Sequence, residues 1–82
     1  MKFTRNNINN QPLLSYLLNN VVPVSHRQEN GNLVSVYETE TAIYNLEKKI
    51  KQHKNDGRYN KHVPLWKKHI EILEGISDAS HN

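Results

Sequence analysis

Apolar side chains gather in four groups along the chain, and each group has its own spacing. Leu13, Leu14, Leu17, Leu18 and Val21 recur at i, i+1, i+4, i+5 and i+8, the pattern of one face of a helix of about ten residues. Asn10 can cap that helix, and Pro12 is tolerated in its first turn. A helix this short does not stand alone in water and must dock on something. Pro23 ends it.

The second group is β-branched and partly alternating, from Leu33 through Val34 and Val36 to Tyr37. Asn30-Gly31 precedes it. That pair suits a two-residue hairpin turn because both residues accept positive φ. Pairing Glu29 with Asn32 sets Arg27 opposite Val34 and Val24 opposite Tyr37. The arm after the turn reads as a strand, whereas Pro23 confines the arm before it to an edge. Lys2 to Arg5 is a candidate short edge strand.

The third group is a narrow seam of Ile43, Leu46 and Ile50, continued by His53. Thr39 can cap this helix and Glu40 suits its first turn, so it should run from about 40 to 55. Gly57 fits as the left-handed residue after its end. Glu47 and Lys51 stand four apart as a surface pair. The fourth group, Leu65, Trp66, His69, Ile70, Ile72, Leu73 and Ile76, makes a broad apolar face on a helix beginning near Pro64. Gly75 is placed to stop it, and the tail from Ser77 should fray. The short connection between the two helices favours antiparallel neighbours, a helical hairpin. The fold class expected is α+β: a short N-terminal helix, a β-hairpin or ribbon around Asn30-Gly31, and a C-terminal antiparallel helical hairpin. An all-α three-helix domain is the alternative.

Composition narrows the picture. The 82 residues suffice for one small domain. Apolar residues make up only 35% and mean hydropathy is −0.84, so the core is thin and homodimerisation is open to it. Cysteine is absent, which removes disulfides, thiolate metal sites and a cysteine nucleophile, and favours a reducing, cytoplasmic setting. No apolar run approaches bilayer-spanning length, and Asn19-Asn20 interrupt the leucine run that follows Lys2 and Arg5, so no membrane partner is expected.

Charge is the most informative feature. Formal net charge is only +3. Between Lys48 and His69, however, Lys48, Lys49, Lys51, Lys54, Arg58, Lys61, Lys67 and Lys68 face the single carboxylate of Asp56. A helical hairpin gathers this excess around its tip. Glu71, Glu74 and Asp78, with Glu38 and Glu40, fall at the other end. Cations beside aromatic rings suit phosphate and base contacts. The residues expected to carry binding are Lys48, Lys51, Lys54, Arg58, Tyr59, Lys61, Lys67 and Lys68, with Tyr59 able to stack on an unpaired base. Trp66 reads as core. Lysine-rich faces are also commonly just solvated, and lysine lacks the fork geometry of arginine.

Catalytic chemistry has little to rest on. Ser15, Ser25 and Ser35 lie in no nucleophile elbow, and the three glycines form no phosphate loop. Glu38 with Glu40 and Glu71 with Glu74 show no reason to converge in a cleft. His53, His62 and His69, with Asp56, follow no established ligand spacing, so neither metal nor cofactor is expected. His69 reads as a satisfied seam residue, and His53 and His62 as exposed. The function expected is a small non-enzymatic binding protein docking on nucleic acid or a nucleoprotein complex through its basic end. The alternative is an inhibitor or adaptor of the phage or plasmid type, binding a host protein through its acidic end or its leucine-rich helix.

Overall fold

The computed structural model describes residues 1–79. The chain begins with β1 (Lys2–Phe3), a 3-10 turn over Arg5–Asn7, and α1 (Gln11–Asn20). The hairpin strands β2 (Ser25–Glu29) and β3 (Asn32–Glu38) follow, then α2 (Thr39–His53), a second 3-10 turn over Gly57–Tyr59, and α3 (His62–Ala79). The class is α+β. The strands form an antiparallel sheet in the order β1-β3-β2. Ser80, His81 and Asn82, part of the tail expected to fray, lie outside the described residues; Ser77–Ala79 continue the last helix.

The hairpin forms where the turn chemistry places it. Asn30 and Gly31 both take positive φ, at 51° and 81°, and Glu29 pairs with Asn32. That register sets Arg27 opposite Val34. The first arm is a full strand, Ser25–Glu29, although almost every residue in it is exposed. Ladder bonds to β3, and not burial, hold it. Val24 stops short of that strand and donates its N–H to the Val36 carbonyl at 2.8 Å.

Asn10 caps α1, its Oδ1 accepting the Leu13 N–H at 2.9 Å. The buried face of α1 differs from the leucine pattern. Leu13, Tyr16 and Leu17 are buried, Leu14 is half-buried, and Leu18 is 75% exposed. Tyr16 turns inward because its hydroxyl donates to Asn45 Oδ1 on α2, while Asn45 Nδ2 donates to the Asn20 carbonyl at 3.2 Å. One asparagine thereby fastens α1 to the helical hairpin.

In the hairpin, α2 buries Thr39, Ala42 and Leu46, and α3 buries Trp66, His69 and Leu73. Both triplets are spaced three and four apart, so two matched stripes face each other across the interface. Phe3 and Tyr37 stack at 5.8 Å and extend this core onto the sheet.

Several boundaries depart from the sequence reading. Thr39 is the first residue of α2 and fully buried, while Glu38 occupies the cap position without a capping bond. The hydroxyl of Thr39 instead accepts from the Met1 ammonium at 3.1 Å, and its N–H bonds the Met1 carbonyl at 2.8 Å. Gly57 is not a left-handed terminator. It opens a 3-10 turn whose cap is Asp56. Pro64 is the third residue of α3, in the first turn where a missing N–H costs nothing. His62 and Val63 before it are helical. Gly75 does not end α3, which continues to Ala79 because Leu73 and Ile76 keep packing beside it. Leu65, expected on the apolar face, is exposed.

Candidate nucleic-acid interface

Between α2 and α3 the chain turns through a tightly bonded connection. Asp56 N–H bonds the His53 carbonyl and Tyr59 N–H bonds the Asp56 carbonyl, both at 3.0 Å. The Asp56 carboxylate accepts from the Arg58 backbone N–H at 3.0 Å, from Arg58 Nε at 3.1 Å and from Nη2 at 2.8 Å. These bonds hold the Asp56 carboxyl below the usual carboxylate range, with the Arg58 side-chain bond the larger cause and its backbone bond next. The side-chain bond to Asp56 raises the Arg58 guanidinium reciprocally. Arg58 is therefore largely matched by its own carboxylate, although its side chain is 83% exposed.

The lysines have no such partner. Lys48, Lys51, Lys54, Lys61, Lys67 and Lys68 are all exposed, and among the described residues none of them enters an ion pair. Helical geometry fixes where they lie. At about 100° per residue, Lys48 and Lys51 project with Tyr44 from the side of α2 opposite Ala42 and Leu46. Lys67 and Lys68 follow the buried Trp66 by one and two steps, which turns them outward on α3. Lys54 and Lys61 flank the connection itself. The positive charge thus surrounds the end of the hairpin and does not form one flat face. An open concavity of about 580 Å³ between Tyr44, Glu47, Lys48, Lys51 and Gln52 is walled by α2 alone. It is a furrow on the helix surface and encloses nothing. The surface pair expected between Glu47 and Lys51 does not form as an ion pair.

At the centre of this charge lies a feature the sequence reading missed. His53, Tyr59, His62 and Trp66 form a single ring cluster. His53 lies on Tyr59 with ring centroids 4.0 Å apart and planes 30° from parallel. Tyr59 is 5.6 Å from His62 and 6.0 Å from Trp66, and Trp66 is 5.8 Å from His62 and 5.9 Å from His53. The Arg58 guanidinium stands 5.9 Å from the Tyr59 ring centre. Trp66 is buried, His53 and Tyr59 are half-buried and His62 is exposed. Both imidazoles read as exposed in the sequence; His62 is so, whereas His53 is half-buried. Both are held in the cluster. A partial signal was present: His62 and Trp66 are four apart, the interval that stacks side chains along one helical face.

His69 does not join them. It is buried 6.0 Å from Tyr16, and its Nδ1 finds no hydrogen-bond partner among the described residues, contrary to the satisfied role expected of it. Among the described residues no three His, Asp or Glu side chains gather as a metal site.

A second surface lies at the N-terminal half. Leu18 and Leu33, 75% and 65% exposed, border a groove of about 410 Å³ along α1 and its small extension at β3, with Arg5, Leu14, Leu17 and Tyr37 in the walls. β1 pairs only with Tyr37 and Glu38, so no described strand covers that edge of β3 at Leu33–Ser35. No helix among the described residues is long and apolar enough to cross a membrane. No protein-family model matches the sequence, and no curated protein or solved structure shows significant similarity to it.

Proposed function

We propose that the chain is a small non-enzymatic binding protein whose hairpin tip docks on nucleic acid, free or within a nucleoprotein complex. The observation that carries this reading is the set of exposed lysines around the tip, none of which enters an ion pair among the described residues. Uncompensated like charges repel one another, and a phosphate backbone relieves that repulsion while releasing its own counterions. Arg58 contributes less than its sequence position suggests, because Asp56 already engages two of its nitrogens. The lysines act as point charges, which suits contact with phosphates more than readout of particular bases.

Titration of the full chain with duplex and single-stranded oligonucleotides at several salt concentrations tests the reading. With about five phosphate contacts, log K should fall by roughly 4–5 for each tenfold rise in salt. Replacing Lys54 and Lys61 together by Gln should flatten that slope by about two contacts. Absence of binding to any nucleic acid at low salt would end the proposal.

The groove beside Leu18 and Leu33 favours a second reading, that of an inhibitor or adaptor of a host protein. Exposed Leu18 on α1 and Leu33 on β3, beside a strand edge that no described strand covers, suit an extended segment of a protein partner. A stoichiometric complex with one defined protein that survives nuclease and is abolished by Leu18→Asp would support it over the first.

A further inference from the structure

We infer that the His53–Tyr59–His62–Trp66 cluster is a stacking platform for an unpaired base, so that the ligand of the hairpin tip is a single strand and not a duplex. This rests on the nucleic-acid reading above and specifies its substrate class.

The rings are already organised. Trp66 is buried between the helices and supports both Tyr59 and His62, while His53 lies against one face of Tyr59. The Asp56 bonds fix the backbone that carries Tyr59. A flexible exposed tyrosine would surrender rotamer freedom on stacking; a ring held in place loses little. His62 is exposed and Tyr59 half-buried, so part of the cluster's surface is open to solvent, with the Arg58 guanidinium 5.9 Å from the Tyr59 ring centre.

The surroundings select what stacks there. Lys54, Arg58 and Lys61 are exposed within a few residues of Tyr59. An apolar or cationic aromatic ligand gains nothing from them. A nucleotide within a strand presents a flat π face with a phosphate on either side, which match a ring platform set among lysines. A duplex has its bases already stacked and offers the tip phosphates only. Single-strand stacking is tolerant of sequence because every base has a π face, which agrees with the Arg58 fork at the tip being already engaged by Asp56.

The test compares an oligothymidylate of about ten nucleotides with a duplex of the same length, using the full chain. Trp66 is the only tryptophan, so its emission reports on the cluster directly. The single strand should bind more tightly than the duplex and change Trp66 emission. Tyr59→Ala should lower affinity for the single strand about tenfold and bring the preference toward unity. Tyr59→Phe, which keeps the ring, should retain the preference. Circular dichroism of the free variants shows that each is folded. A duplex bound as tightly as the single strand overturns the inference. So does a Tyr59→Ala protein with unaltered preference while the Lys54, Lys61 double variant loses affinity, an outcome that leaves the phosphate-docking proposal standing. If neither nucleic acid binds, both fall.

Discussion

His69 shows what a single residue can cost a thin core. Its side chain is 1% exposed and its Nδ1 has no partner among the described residues. A buried unsatisfied polar group costs about 1–3 kcal/mol. Burial also pushes its pKa below the ordinary 6.5, because the interior disfavours the charged ring. The unfolded chain takes up that proton near 6.5. Between the two values the unfolded state binds more protons, and stability falls as the pH drops through that window. His69→Leu should therefore be at least as stable as the parent at pH 7.5, by about 1 kcal/mol. Its advantage should widen as the pH is lowered from 7 to 5. Thermal melts across that range check this, and parallel curves for the two proteins would show that His69 does not carry the acid sensitivity. Periodicity in the sequence placed His69 on the buried face correctly. Whether its nitrogens find partners depends on which side chains arrive from α1 and α2, which no local pattern records. The same holds for Tyr16, whose burial follows from Asn45 and which that burial pushes up to about 12.

At the scale of elements, the three glycines separate what local sequence encodes from what packing decides. Asn30-Gly31 is legible because two adjacent residues that accept positive φ specify a hairpin turn without outside help. Gly57 and Gly75 mislead for opposite reasons. The Asp56 carboxylate converts the segment at Gly57 into a capped 3-10 turn. At Gly75, continued contact by Ile76 outweighs a helix-breaking preference of only about 1 kcal/mol. The two positions 31 and 75 should respond in opposite directions to alanine. At Gly31, with φ of 81°, the added Cβ would be strained in the left-handed conformation that the turn requires and should cost about 1–2 kcal/mol. At Gly75 a Cβ would meet nothing within 4 Å, and the gain in helix propensity should stabilise by up to about 1 kcal/mol. Denaturant unfolding measures both. A destabilised Gly75→Ala protein would mean that the end of α3 is not helical in solution.

The whole molecule is elongated, 44 × 28 × 19 Å. The span from Lys48 to His69 carries eight basic residues against Asp56, and the rest of the chain is net acidic. That segregation is legible because charge order along an antiparallel hairpin maps directly onto its two ends. The ring cluster is less legible, since His53 approaches Tyr59 only once the connection has turned back on itself. Without a ligand, the crowding of lysines must work against folding. Exposed charges separated by roughly a Debye length, about 10 Å at 0.1 M salt, still repel, and added salt removes that repulsion. Raising sodium chloride from about 0.02 to 0.5 M should therefore raise the melting temperature. The few ion pairs described, of Met1, Arg27 and Arg58, are surface contacts whose screening costs little. Changing Lys54 and Lys61 to Gln should stabilise the protein at low salt and flatten its response, because fewer like charges remain to be screened. The same pair of substitutions weakens nucleic-acid binding in the proposed mechanism. Stability and affinity should thus move in opposite directions, the signature of a surface selected for a ligand. If the melting temperature instead falls with salt and the lysine variant is less stable, those side chains are attractive partners within the fold and the tip is not a site awaiting an anion.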